Sequence, residues 1–197
     1  MNESRLDRER WEARYAEAAP EPRPPSPWIM EAIGRLPADL TIVDLAAGSG
    51  RHARPIAESG RVVVAVDFVE RAVRAAVAGH PRIHGVVADA AALPFRSGTL
   101  DAIVVVNFLD RALFPQLVTL LRPGGYLVYE TYTEAHLTLV QQGRARAPRD
   151  PRYLLRPGEL RTLVAPLAVI DEREGLVRDE AGERYCASVI ARRDALA

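Results

Sequence analysis

The stretch "VDLAAGSGRHA", Val43 to Ala53, decides how the rest of the chain is read. An apolar run leads into it, small residues form a turn, and a helix start follows. Within it, Gly48-Ser49-Gly50-Arg51-His52-Ala53 fits the pattern G-x-G-x-x-G/A, whose glycines let backbone approach a pyrophosphate at a helix N-terminus. The same small-residue turn also suits a ligand that carries positive charge and no phosphate. The two readings demand opposite electrostatics, so the acids around the turn must arbitrate.

Outward from the turn the chain alternates between strand and helix patterns. Apolar, β-branched runs occur at "TIVDL", "RVVVAVD", "IHGVVAD", "LDAIVVVN" and "GYLVYET", with helix-like segments at 51–59, 69–78 and 112–121 between them. Runs that are apolar on both faces belong to a parallel sheet covered on each side by helices. Towards the end, "LAVIDEREGLV" and "RYCASVIARR" flank the polar "RDEAGE", which predicts an antiparallel hairpin. The expectation is an α/β, doubly wound, Rossmann-like sheet of five parallel strands closed by a C-terminal hairpin. Residues 41–197 make up this domain.

Ahead of it, residues 4–18 can form an amphipathic helix with Trp11 and Tyr15 four apart on one face. "PEPRPPSP" then places five prolines between Pro20 and Pro27, an extended linker. Ser26-Pro27 reads as an N-cap followed by proline at the first helical position, so a short helix is expected over Pro27 to Arg35. A 15-residue helix is marginal alone in water. Residues 1–40 are therefore expected to cover another surface, as a lid over the ligand mouth.

Composition narrows the function. The chain has 197 residues and no formal net charge, which disfavours general capture of nucleic acid or an anionic membrane. All 26 basic residues are arginine, so a lysine Schiff base is excluded. Cys186 is the only cysteine; neither an intrachain disulfide nor a cysteine metal cluster can form, and its expected role is that of a small buried hydrophobe. Four histidines, His52, His80, His84 and His136, show no zinc-type spacing, and no metal is expected. The charged start "MNESRLDRERWEARYAEA" is neither a signal peptide nor a membrane span. A soluble, cytoplasmic protein is the expectation.

Ligands of open parallel sheets sit beyond the carboxyl ends of the strands, near the topological switch point. Those ends carry Asp44, Asp67, Asp89, Asn107 and Glu130-Thr131. Asp67 lies seventeen residues past Gly50, where a carboxylate can accept from both ribose hydroxyls of NAD or of S-adenosylmethionine alike. Asp44 discriminates. It precedes Gly48 by four residues, where it would repel a pyrophosphate but suit a sulfonium and an ammonium group. Asp89 can accept from an adenine amino group.

These features carry a resemblance. "VDLAAGSG", "VVVAVD", "VVADAAALPF", "LDAIVVVN" and "LLRPGGYLVYET" are similar, in order and spacing, to the motifs of class I S-adenosylmethionine-dependent methyltransferases over Thr41 to Thr131. The resemblance implies S-adenosyl-L-methionine as cofactor and S-adenosyl-L-homocysteine as product. The cofactor would be held by Asp44, Ala46, Gly48, Gly50, Arg51, Asp67, Phe68, Asp89, Ala90 and Asn107. Ala46 departs from the usual glycine, and its methyl is tolerable if φ stays negative.

Within the class, "WEARYAEA" and "RYLLRPGELRTLVAPLAVIDERE" resemble the tellurite-resistance (TehB-type) group and its uncharacterised bacterial relatives. That likeness implies Trp11, Arg14 and Tyr15 as lid residues over the cofactor. It aligns Arg178 and Arg184 with the group's arginines, while Val177 stands in place of its histidine. Glu130, Tyr132 and His136 follow the fifth strand and are candidates at the acceptor mouth; no general base stands out. Residues 132–156, a polar loop or lid, hold Arg144, Arg146, Arg149, Arg152 and Arg156, which would favour an anionic small-molecule acceptor. A non-catalytic S-adenosylmethionine-binding protein and an RNA methyltransferase remain alternatives. Oligomeric state, monomer or dimer, is left open.

Overall fold

The computed structural model describes residues 11–13, 15, 24–145, 148–180 and 182–195. Seven strands form one sheet: β1 Ile42–Leu45, β2 Val63–Asp67, β3 Ile83–Val87, β4 Leu100–Val106, β5 Leu121–Tyr132, β6 Ala168–Asp179 and β7 Gly182–Arg192. Their order is β3-β2-β1-β4-β5-β7-β6. The first five pair in parallel, and β7 runs antiparallel to both β5 and β6. The sheet and its closing hairpin therefore stand as the sequence predicts. The hairpin turn is shorter than "RDEAGE", because both strands extend to within a residue or two of its tip.

Among the described residues, and besides the amino-terminal segment, six helices flank the sheet: α1 Pro27–Arg35, α2 Ala53–Glu58, α3 Glu70–Val77, α4 Phe114–Leu120, α5 His136–Gln141 and α6 Glu159–Leu163. α1 begins as expected, with the Ser26 hydroxyl accepting from the Ile29 N–H across 3.5 Å. Its C-terminus is held by Arg61, whose guanidinium donates to the Ile33 and Leu36 carbonyls at 2.9 Å each. Parity along the strands splits the core into two layers. Val43, Leu45, Ile103, Val105, Leu127 and Tyr129 face α4 and α6. Ile42, Ala65, Val104, Val106 and Val128 face α1, α2 and α3.

Residues 132–156 are more structured than a polar loop. They contain α5 and a 3-10 turn at Pro151–Tyr153, and Thr133 bridges Leu155. Leu139, Leu154 and Leu155 supply the reason, since all three are buried. Cys186 is a buried free thiol in β7, with its pKa pushed up to about 12 by burial. Of the amino-terminal helix, Trp11 to Ala13 and Tyr15 are described and helical. Arg14, Arg146 and the rest of 4–18 lie outside the described residues.

Candidate functional site

The order of the sheet reverses between β1 and β4, and the glycine turn leaves β1 at that point. Gly48 and Gly50 both take positive φ, +56° and +84°, conformations that glycine adopts freely. Gly50 also sits against α3: a Cβ there would lie 2.9 Å from the Ala76 Cα. Ala46 contradicts its expectation, because its φ is +56° rather than negative. The chain must reverse directly after a fully buried strand, and the turn imposes the left-handed conformation although an alanine occupies it. Across the switch point Asn107, at the end of β4, has φ +57°. These are the two non-glycine residues with positive φ among those described, and both end adjacent strands at the carboxyl edge. Strain of this kind concentrates at functional sites.

Asp44 is 2% exposed and lies on the α1/α2 face of β1. Burial pushes its carboxyl up to about 7, and Asp67 adds to the rise; Arg51 and the Ala53 N–H pull the other way. Its Oδ2 has no hydrogen-bond partner among the described residues. Asp67 has a different environment. Its Oδ2 accepts the Gly48 N–H at 2.9 Å and its Oδ1 the Val69 N–H at 2.9 Å. Burial raises its pKa, and the N–H groups of Val69, Gly48 and Phe68 counter that rise. Asp67 therefore holds the glycine turn itself, and its carboxylate keeps some acceptor capacity for a ribose.

Asp89 is half-buried, and its Oδ1 accepts the Ala91 N–H at 3.0 Å, capping the 3-10 turn that starts at Ala90. Phe68 and Ala90 are half-buried beside these two acids, and Arg51 is half-buried in the turn. Asn107 is exposed, and its N–H donates to the Glu130 carbonyl at 2.8 Å. The amino-terminal helix reaches this place too: a Cβ on Gly48 would lie 2.6 Å from the Tyr15 hydroxyl, and Trp11 packs beside Tyr15 with ring centroids 6.4 Å apart.

The acceptor-side candidates divide. Glu130 is 1% exposed; its Oε2 accepts from Ser188 Oγ at 2.9 Å and from Arg173 at 3.0 Å. Arg184 is buried as well, donating to Asp179 at 2.7 Å and lying 3.6 Å from Glu130 Oε1. Arg178 points to the opposite face of the hairpin and bonds Glu183 at 2.8 Å, so the structure does not bring Arg178 and Arg184 together. Val177 is cross-strand from Arg184. His136 is buried, its Nδ1 accepting the Tyr185 N–H at 3.4 Å while its ring packs on Tyr132 at 4.6 Å. Two of the arginines of 132–156 have carboxylate partners: Arg144 pairs with Glu183 and Arg152 with Asp150.

Sequence reasoning passed over His52. It is buried, and its Nε2 accepts the Ser26 N–H at 3.1 Å, pinning the start of α1 to the glycine turn. Burial, with Arg51 and Arg184 nearby, lowers its pKa to about 3, so it stays neutral. Arg173 and Ser188 were missed too. A charged Glu130 within the apolar run "YLVYET" was the available signal, because a buried carboxylate needs partners from elsewhere. Among the described residues no group of side chains could hold a metal, and no helix is long and apolar enough to cross a membrane.

The fold is that of the seven-stranded methyltransferases, and residues 42–125 match the family model described as a methyltransferase domain. A solved S-adenosylmethionine-dependent methyltransferase from Methanosarcina mazei superposes with a TM-score of 0.70 at 20% identity, covering 88% of this chain and all of that one. A second, from Mesorhizobium loti, gives a TM-score of 0.64 at 22% identity over 83% of this chain and 96% of the other. In sequence, the chain is 36% identical over 110 residues to a demethylmenaquinone methyltransferase of Clavibacter sepedonicus, covering 52% of this chain and 45% of that protein. It is 30% identical over 104 residues to an uncharacterized methyltransferase of Mycobacterium tuberculosis, covering 51% of this chain and 41% of the relative. The chain thus spans less than half the length of the curated relatives it matches.

The residues present fit the cofactor that this fold family implies. The orphaned, buried Oδ2 of Asp44 offers an anionic acceptor for an ammonium group, and Asp67 keeps acceptor capacity for a ribose.

Proposed function

We propose that the protein is an S-adenosylmethionine-dependent methyltransferase acting on a small-molecule acceptor. The observation that carries this reading is Asp44, a buried carboxylate with an unmet oxygen beside the glycine turn. A pyrophosphate could not lie against it, whereas a positively charged ligand would satisfy it. The cofactor supplies a methyl group activated on a sulfonium; the protein's task is to align an acceptor with it and exclude water. Asp44 would hold the ammonium end, Asp67 the ribose, and Asp89 with Phe68 and Ala90 the adenine side. Calorimetry with S-adenosylhomocysteine and with NAD in parallel tests this, with heat expected for the adenosyl ligand. Heat with NAD alone would overturn it.

A small acceptor is favoured over RNA by the relatives named for demethylmenaquinone and by the chain's zero formal net charge. The finer tellurite-resistance grouping rests on segments outside residues 42–125, and Val177 stands across from Arg184 where that group has a histidine. We place the protein in the cytoplasm.

The amino-terminal segment belongs to the same reading as a cofactor lid. Tyr15 stands over Gly48, and Arg71 donates to its carbonyl at 3.3 Å, which would close the turn from outside. Hydrogen exchange at residues 11–15 should slow when S-adenosylhomocysteine is added. Equal protection with and without ligand would make this helix structural.

A further inference from the structure

Residues 150–159 lie against the carboxyl end of β5, on the edge of the sheet where ligands of such folds sit. Thr133 and Leu155 form a parallel bridge there. The Leu155 N–H donates to the Tyr132 carbonyl at 2.9 Å, and the Glu134 N–H to the Leu155 carbonyl at 2.8 Å. The Gly158 N–H donates to Glu174 Oε2 on β6 at 3.0 Å. A third tie comes from Arg111, in the 3-10 turn Arg111–Leu113 that follows β4.

The Arg111 guanidinium makes four hydrogen bonds to this segment. Its Nε and Nη2 donate to Glu159 Oε1 and Oε2 at 2.7 and 2.8 Å, a two-point pairing. Its Nη1 donates to the Arg152 carbonyl and its Nη2 to the Leu154 carbonyl, both at 2.9 Å. Glu159 Oε2 also accepts the Arg156 N–H at 2.8 Å, and the Arg111 hydrogen bond is the main reason that the Glu159 carboxyl titrates below its ordinary range. Only a planar, forked guanidinium serves acceptors on three residues in this way; a lysine ammonium is a compact point charge. These partners lie 41, 43 and 48 positions away in sequence, so the bonds join two loops rather than brace one element. The loop after β4 is itself fixed at its start. The Asn107 N–H donates to the Glu130 carbonyl at 2.8 Å, and the Phe108 carbonyl accepts from the buried Tyr129 hydroxyl at 2.7 Å.

We infer that Arg111 is a positioning residue for the methyl acceptor: it locks residues 150–159 to the turn after β4 as a preformed wall of the acceptor site. The inference rests on the proposed methyl transfer. Arg111 acts through the segment it holds and not on the reacting atoms. A lid that closes on the acceptor would have to be ordered at each binding event, whereas this segment is bonded to β5, to β6 and to the turn after β4 beforehand. Such preorganisation lowers the ordering cost of binding, so losing it weakens acceptor saturation and spares the maximal rate.

The test uses the full chain, radiolabelled S-adenosylmethionine and increasing amounts of a bacterial small-molecule extract as the source of acceptor. Arg111→Lys should raise the amount of extract needed for half-maximal transfer by about fivefold or more, with the maximal rate and S-adenosylhomocysteine affinity within about twofold. Hydrogen exchange at the Leu154 and Leu155 amides, which bond the Pro151 and Tyr132 carbonyls, should be slow in the free protein and unchanged by S-adenosylhomocysteine. In Arg111→Lys the same amides should exchange about tenfold faster. Arg122→Lys serves as comparator, because it disturbs a similar ion pair, to Asp101, at the opposite edge of the sheet, and should leave half-saturation within about twofold. Unchanged half-saturation in Arg111→Lys, a loss confined to its maximal rate, an equal rise in both variants, or Leu154 and Leu155 amides that slow on adding S-adenosylhomocysteine would overturn the inference while leaving methyl transfer standing. Transfer to no component of the extract, with S-adenosylhomocysteine still bound, would overturn methyl transfer itself and the inference with it.

Discussion

The two ends of the carboxyl edge handle buried charge in opposite ways. At β1 and β2, Asp44 and Asp67 are served by backbone N–H groups, with no ion pair to either acid among the described residues. At β5, β6 and β7, Glu130 and Asp179 are served by the guanidiniums of Arg173 and Arg184. The first arrangement leaves net negative charge for a ligand to meet. The second pairs its carboxylates with guanidiniums and behaves as scaffold. The contrast teaches that equal burial of acids does not mean equal function; the kind of partner decides.

The largest effect should come from the scaffold end. Arg184→Ala would strip Asp179 and Glu130 of their shared buried cation, and removing one partner of such a network costs about 3–5 kcal/mol. Denaturant unfolding should show that loss, with S-adenosylhomocysteine affinity of the folded fraction within twofold. A loss below about 1 kcal/mol would erase the distinction between the two ends.

Next is Asp67→Ala, which removes the acceptor for the Gly48 and Val69 N–H groups along with the proposed ribose contacts. S-adenosylhomocysteine binding should weaken by ~2–4 kcal/mol by calorimetry, taking values for charged acceptors. Unchanged affinity would move the ribose elsewhere.

A pH titration sharpens the contrast at Asp44. Its carboxyl, raised to about 7, is largely protonated below that pH, and a cationic ligand favours the ionised form. S-adenosylhomocysteine affinity should therefore rise with pH up to about 7, by at most about tenfold per unit, and level off above. Asp44→Asn should abolish that slope. Without ligand the sign is opposite for stability: the raised pKa favours the fold at low pH, and this contribution is lost as pH climbs from the unfolded value near 3.8 through about 7.

The smallest effect should be at the strained turn. Ala46→Gly relieves a left-handed alanine, a gain of about 1–2 kcal/mol, against an entropic cost of roughly 0.5–1 kcal/mol for glycine. A slightly higher Tm with unchanged ligand affinity is expected. A lower Tm would mean the Ala46 methyl contributes packing that outweighs the strain.

Local sequence determined a great deal. Two-residue and helical periodicities, the Ser26-Pro27 start of α1, the glycine turn and the acids that end β1, β2 and β3 are written in short segments, because backbone preference and amphipathic pattern act over a few residues. The parallel sheet and its final hairpin follow from those patterns. Tertiary structure alone decided which acids were satisfied. Ser188 reaches Glu130 across 58 positions and Arg173 across 43, and His52 meets Ser26 across 26. No local period encodes such pairings; they exist because strand order places β5, β7 and β6 side by side in one register. The same is true of Ala46, whose side chain predicts a negative φ. Its conformation is set by where β1 must turn against β2 and β4, and the energy of the closed sheet outweighs the strain of one residue.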